Sequence, residues 1–93
     1  MEKHLEQKLK NQIKALGGLC LKWVSPGFTG VPDRIVLLPG GRIYLVELKY
    51  GLGGLSRRQQ LVKKQLARLG FEVHIVKGEE SLTGFLKLVS NDS

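Results

Sequence analysis

From Glu2 to Leu16 the apolar residues Leu5, Leu9, Ile13 and Leu16 recur at helical spacing between lysines and glutamines, and Gly17-Gly18 follows as a stop. This predicts an amphipathic first helix. Leu19, Leu21 and Trp23 then alternate with Cys20, Lys22 and Val24 until Ser25-Pro26-Gly27 breaks a short strand. The stretches Arg34 to Leu38 and Arg42 to Lys49 are rich in β-formers and flank Pro39-Gly40-Gly41, the pattern of an antiparallel hairpin. Ile35, Leu37, Ile43 and Leu45 fall on one face of that hairpin, and Val36, Leu38, Tyr44, Val46 and Leu48 on the other. Two apolar faces imply a sheet covered on both sides.

Beyond the glycine-rich loop Gly51 to Gly54, Ser56 suits the N-cap of a helix carrying Leu61, Val62, Leu66 and Leu69 to a stop at Gly70. Phe71, Val73 and Ile75 alternate with Glu72, His74 and Val76 as a last strand, and Leu82, Phe85, Leu86 and Val89 suggest a short closing helix. The predicted order is α-β-β-β-α-β-α, an α/β architecture with one strand-helix-strand crossover. No internal repeat or low-complexity segment interrupts it.

Ninety-three residues fit one domain, 1–93, with a core small enough that a metal or a partner subunit is an expected source of extra stability. The single cysteine, Cys20, cannot form an intramolecular disulfide, and no signal segment or long apolar run is present. The chain therefore reads as soluble, cytoplasmic and without a membrane partner. Fifteen Lys and Arg against eight Asp and Glu give a net charge of +7. Such a charge favours a polyanion, nucleic acid above all, although it also describes a solvated basic surface.

Asp33 and Glu47 sit at the ends of apolar strands, where a charge needs a partner or a function. If the hairpin folds about Gly40, paired residue numbers sum to eighty and Asp33 faces Glu47, with Cβ atoms roughly 4.5–5.5 Å apart. Two carboxylates at that separation repel unless a cation lies between them, and hard oxygen donors suit Mg²⁺ or Mn²⁺. Lys49 leaves the same face two residues on, so acid, acid and base converge. The group suits phosphodiester hydrolysis, provided the turn is centred near Gly40, because a slip of one residue would break the shared face.

Gly30-Val31-Pro32-Asp33-Arg34-Ile35, Glu47-Leu48-Lys49 and Ser56-Arg57-Arg58-Gln59 together resemble the VRR-NUC family, a branch of the PD-(D/E)XK nuclease superfamily. The resemblance spans nearly the whole chain. It implies a PD-(D/E)XK core, α-β-β-β-α-β with a short C-terminal helix and a mixed sheet flanked by helices. It further implies metal-dependent cleavage of DNA to a 5′-phosphate and a 3′-hydroxyl. For short stand-alone phage and bacterial members it implies a homodimer acting on branched DNA such as four-way (Holliday) junctions. Residue by residue, Asp33 and Glu47 match the metal-binding acids, Lys49 the active-site lysine, and the carbonyl of Leu48 a further oxygen ligand. Glu6 matches the family's acid on the first helix, a further catalytic and metal-binding residue by the same resemblance, where it shares a face with Leu9 and Ile13. Gln59, with Gln60 as the competing choice, matches the glutamine at the start of the second helix. No added substrate-reading domain is expected within the chain.

Arg57, Arg58, Lys63 and Lys64 make the second helix basic, and with Lys22 they are candidate DNA contacts, Arg57 and Arg58 lying nearest Gln59. The Gly51 to Gly54 loop has no following lysine-serine or lysine-threonine pair, so a nucleotide cofactor is not expected; a flap beside the site is. His4, His74 and Cys20 lack zinc-site spacing, and both histidines read as surface residues. Trp23 fits core packing on its alternating strand, or stacking on a base. A non-catalytic nucleic-acid-binding module and a nuclease cutting flaps or plain duplex remain the alternative functions.

Overall fold

The computed structural model describes residues 2–91. Its elements run α1 (Glu2–Ala15), β1 (Leu19–Lys22), β2 (Arg34–Leu38), β3 (Arg42–Lys49), α2 (Arg57–Arg68), β4 (Val73–Lys77) and α3 (Gly78–Asn91). The strands form one mixed sheet in the order β1-β2-β3-β4, antiparallel except for the β3–β4 pair. The β3-α2-β4 crossover is therefore the parallel unit that the alternation of strand, helix and strand implied.

The hairpin register follows from its turn. Gly40 and Gly41 hold φ of 87° and 73°, a region open to glycine at little cost, and Pro39-Gly40-Gly41 reverses the chain about Gly40. Arg34 pairs Val46, Val36 pairs Tyr44 and Leu38 pairs Arg42, so every observed pair sums to eighty. Continued one step outward, that ladder sets Asp33 opposite Glu47.

The two faces of the sheet are covered unequally. Beneath the inner face, α1 contributes Leu5, Leu9 and Ile13, and α3 contributes Leu82, Phe85 and Val89; these pack on Val36, Leu38, Val46, Leu48 and Val76. Each such side chain, fully buried, stabilises the fold by roughly 1.5–3 kcal/mol in transfer free energy. Arg42 ties the C-terminal end of α3 to the hairpin turn, donating from Nη1 to the Val89 carbonyl (2.7 Å) and from Nε to the Pro39 carbonyl (3.1 Å). The outer face carries α2 alone, where Val62 is buried and covers the end near Leu45 and Val73. Leu19, Leu21 and Ile43 stay 58%, 44% and 58% exposed. The expected second cover is thus partial, because one twelve-residue helix cannot span four strands.

Two further expectations are corrected. The closing helix is a full fourteen residues, because Gly78, with φ of 82°, lets the chain turn straight from β4 into α3. His74 is not a surface residue: it faces inward, edge-on to Tyr44 (5.7 Å) and tilted against Phe85 (5.4 Å). Among the described residues no helix is long and apolar enough to cross a membrane.

Candidate active site

Asp33 is fixed from two sides. Its carbonyl accepts the Trp23 amide at 2.9 Å, extending the β1–β2 ladder by one step, and its Oδ2 accepts the Leu48 amide at 2.9 Å. In a strand the N–H and C=O of one residue leave by the same edge, so the Leu48 carbonyl faces the space beside Asp33. The approach to Asp33 depends on Gly30, whose φ is 88° and where a Cβ would lie 2.8–3.0 Å from Arg58 and Val62 of α2. That glycine lets the loop lie against the helix.

Glu47 projects onto the outer face and is 2% exposed. Burial, reinforced by the negative charge of Asp33, pushes its carboxyl up to about 7 despite the favourable pull of Lys49. Lys49 Nζ lies 3.4 Å from Glu47 Oε2 and donates to Gln59 Oε1 at 2.8 Å. Gln59 in turn donates from Nε2 to Glu47 Oε2 at 2.8 Å. One amide therefore holds both the acid and the base.

The same amide also starts the helix. Ser56 is the N-cap of α2, its Oγ accepting the Gln59 amide at 3.1 Å, while Gln59 Oε1 accepts the Ser56 amide at 2.9 Å. This reciprocal capping box satisfies two otherwise unpaired donors at the helix start. Of the two candidate glutamines, Gln59 is the one brought to the acids. Gln60 instead donates to the Leu55 carbonyl at 3.1 Å.

Glu6 lines the same cavity as Asp33, Leu48, Lys22 and Tyr50, a space of about 510 Å³, but is not drawn into the Asp33–Glu47 pair. Its carboxylate lies 2.6 Å from Nη2 of the buried Arg34, and that hydrogen bond lowers its pKa, with the charges of Arg34, Lys22 and Lys10 adding to the effect. Among the described residues no group of three acidic, histidine or cysteine side chains converges. The donors at hand, two facing carboxylates and a carbonyl, are all hard oxygens. The raised Glu47 reflects burial first and the charge of Asp33 second, and a divalent cation offsets both, so the set fits Mg²⁺ or Mn²⁺ rather than zinc.

The basic residues separate. Lys22 and Lys63 each border a cavity at the site, Lys63 alongside Glu47 and Gln59. Arg57 and Lys64 are exposed. Arg58 turns away from the acids, donating to the Thr29 carbonyl at 3.1 Å and stacking over Phe28 with 5.0 Å to the ring centroid. Lys77 was not foreseen. It is the parallel partner of Lys49, so two lysines leave neighbouring strands side by side. Only the β3–β4 register reveals this, and that register depends on how α2 packs.

No family model matches the sequence. A relative from Acyrthosiphon pisum secondary endosymbiont phage 1, named "Putative nuclease p44", is 37% identical over 89 residues, covering 96% of this chain and 95% of its own. A solved structure described as a VRR_NUC domain superposes with a TM-score of 0.86 at 28% identity, over 92% of this chain and 94% of its own. The mixed sheet flanked by helices is accordingly the fold of a VRR-NUC nuclease. The chain belongs to that family.

Proposed function

We propose that the protein is a Mg²⁺- or Mn²⁺-dependent endodeoxyribonuclease acting as one domain, 1–93, on branched DNA such as four-way junctions. The observation that carries the reading is the quartet itself: two facing carboxylates beside a lysine clamped by Gln59. A non-catalytic binding module has no use for such an arrangement.

Asp33, Glu47 and the Leu48 carbonyl would hold the metal, which supplies Lewis-acid polarisation of the phosphate and a bound water of lowered pKa. Lys49, held beside Glu47 and aimed by Gln59, donates to the phosphate oxygens as negative charge grows on them. Water adds to phosphorus, the P–O3′ bond breaks, and the oxygen takes up a proton, leaving a 3′-hydroxyl and a 5′-phosphate. Glu6, held by Arg34, forms the opposite acidic wall of the cavity. Lys22, Arg57, Lys63, Lys64 and Lys77 supply phosphate contacts around it, and Arg58 shapes the neighbouring loop. Cytoplasmic action in a bacterial or phage-infected cell is part of the same reading.

A homodimer would bring two sites to two strands of a junction. The exposed Leu19, Leu21 and Ile43 on the open outer face support self-association. The test incubates labelled junction, flap and linear duplex with the protein, with and without Mn²⁺, beside Asp33→Ala and Lys49→Ala. Metal-dependent cleavage of branched substrates, lost in both variants, is expected. Binding without cleavage on every substrate overturns the enzyme, equal cutting of plain duplex overturns the selectivity, and a monomer by light scattering overturns the dimer.

A further inference from the structure

Beside the catalytic cavity the outer face holds a second cleft of about 480 Å³, within the range of small-ligand sites. Its walls are Trp23, Phe28, Val31, Val62, Leu66 and Leu69, with Gln65 and Ser25 as polar groups and Arg68 at the rim. Trp23 lines this cleft and the catalytic cavity alike, and its amide is bonded to the carbonyl of Asp33. An occupant would therefore stand one side chain away from the acids. Phe28 is 44% exposed, and the Arg58 guanidinium stacked on it gives the loop a flat, cationic surface.

We propose that this cleft receives an unstacked nucleobase of the DNA strand whose phosphate lies at Asp33 and Glu47. The inference rests on the nuclease reading and adds to it a source of selectivity for branched DNA. Aromatic walls accept any base through its π-face, and the Gln65 amide can bond a base edge. Arg58 and Arg68 beside the cleft complement the phosphates that a nucleotide brings with it. A second copy of this chain seated here would instead set its own Arg58 and Arg68 against the same rim. A base must leave its stack to enter, which costs least where it is already unpaired, at a flap or branch point. Continuous duplex pays that cost in full and so binds less well.

The experiment places 2-aminopurine as the unpaired base beside the branch of a flap substrate, with a continuous duplex of the same sequence as control. The full-length protein is titrated in without divalent metal, so that nothing is cut. The probe's fluorescence is expected to fall as it stacks. Phe28→Ala should abolish that change and weaken flap binding roughly 5- to 140-fold, the range set by loss of one base–aromatic stack. Duplex binding should change less than about twofold, and Phe28→Trp should restore the flap signal. Tight flap binding with unchanged probe fluorescence, or equal weakening on both DNAs, overturns the cleft. So does a shift from dimer to monomer in Phe28→Ala by light scattering, which would give the cleft to a second copy. Metal-dependent cleavage of the same flap, measured in parallel, separates these results from failure of the nuclease reading: cutting without a probe signal removes the cleft alone, and absence of both cutting and binding removes both.

Discussion

The inner and outer faces of one sheet do different work. Inside, α1 and α3 supply six of eleven buried apolar residues, an exposed Lys8–Glu79 pair joins the two helices, and the buried Arg34 pairs with Glu6 at the rim by the strand ends. Outside, Leu45, Val62 and Val73 are buried, and the same surface carries Asp33, Glu47, Lys49 and the open cleft beside Phe28, while the cavity at Asp33 opens at the strand ends and reaches across to Glu6 and Arg34. Stability in a small domain is scarce. Concentrating it on one face frees the other to hold a raised carboxylate and an uncovered apolar strip, each of which costs folding free energy.

Paired substitutions break or sharpen that division. On the inner face, Ile13→Ala removes a side chain that is 0% exposed and should destabilise the protein by about 2–5 kcal/mol, seen as a large fall in Tm. Its kcat at a temperature where it remains folded should match the parent. On the outer face, Lys49→Ala should lower kcat roughly 10²- to 10³-fold while Tm moves by less than about 5 °C. If Ile13→Ala proved catalytically dead while folded, or Lys49→Ala unfolded, the two faces would not be separable.

The hairpin, its register and the trio it carries were legible because they depend on neighbours in sequence: Pro39-Gly40-Gly41 fixes the turn, and a period of two fixes the faces. The capping signal at Ser56 was local for the same reason. What escaped depends on distant packing. His74 looks polar and exposed until α3 places Phe85 against it. Lys77 beside Lys49, Arg58 turned back onto Phe28, and Glu6 held by Arg34 each need the positions of elements separated by loops. The bare part of the outer face was invisible because an alternating strand shows only that a face is apolar, not that a helix reaches it.

Within the outer face, Gln59 joins fold to chemistry, and the two contributions can be separated. Gln59→Glu keeps an acceptor for the Ser56 amide, since glutamate serves equally in a capping box, so helix stability should hold. It cannot donate to Glu47 Oε2, and it sets a further negative charge beside an already strained pair. A loss of activity of about 10- to 100-fold is expected, the scale seen for groups that orient metal ligands. Gln59→Ala should lose both activity and the cap, lowering Tm as well. Equal activity in parent and Gln59→Glu would show the amide to be a helix cap alone.

The smallest expected effect reads the cost of burying Glu47 beside Asp33. Burial and the neighbouring Asp33 charge push the Glu47 carboxyl of the folded, metal-free protein up to about 7, above the roughly 4.3 of a glutamate in an unfolded chain. The folded state thus holds its proton more tightly, so stability is fully present below about pH 4.3 and is lost as pH rises toward 7. Metal-free Tm should decline by at least about 5 °C between pH 5 and pH 8, and Glu47→Gln, which carries no titrating group, should flatten that slope. A divalent cation competes with the proton for the same oxygens, so Mn²⁺ should raise Tm more at pH 8 than at pH 5 in the parent and far less in Glu47→Gln. An identical slope in parent and variant would move the origin of the pH dependence away from this pair. The inner face, where Arg34 already compensates Glu6, offers no comparable response to metal.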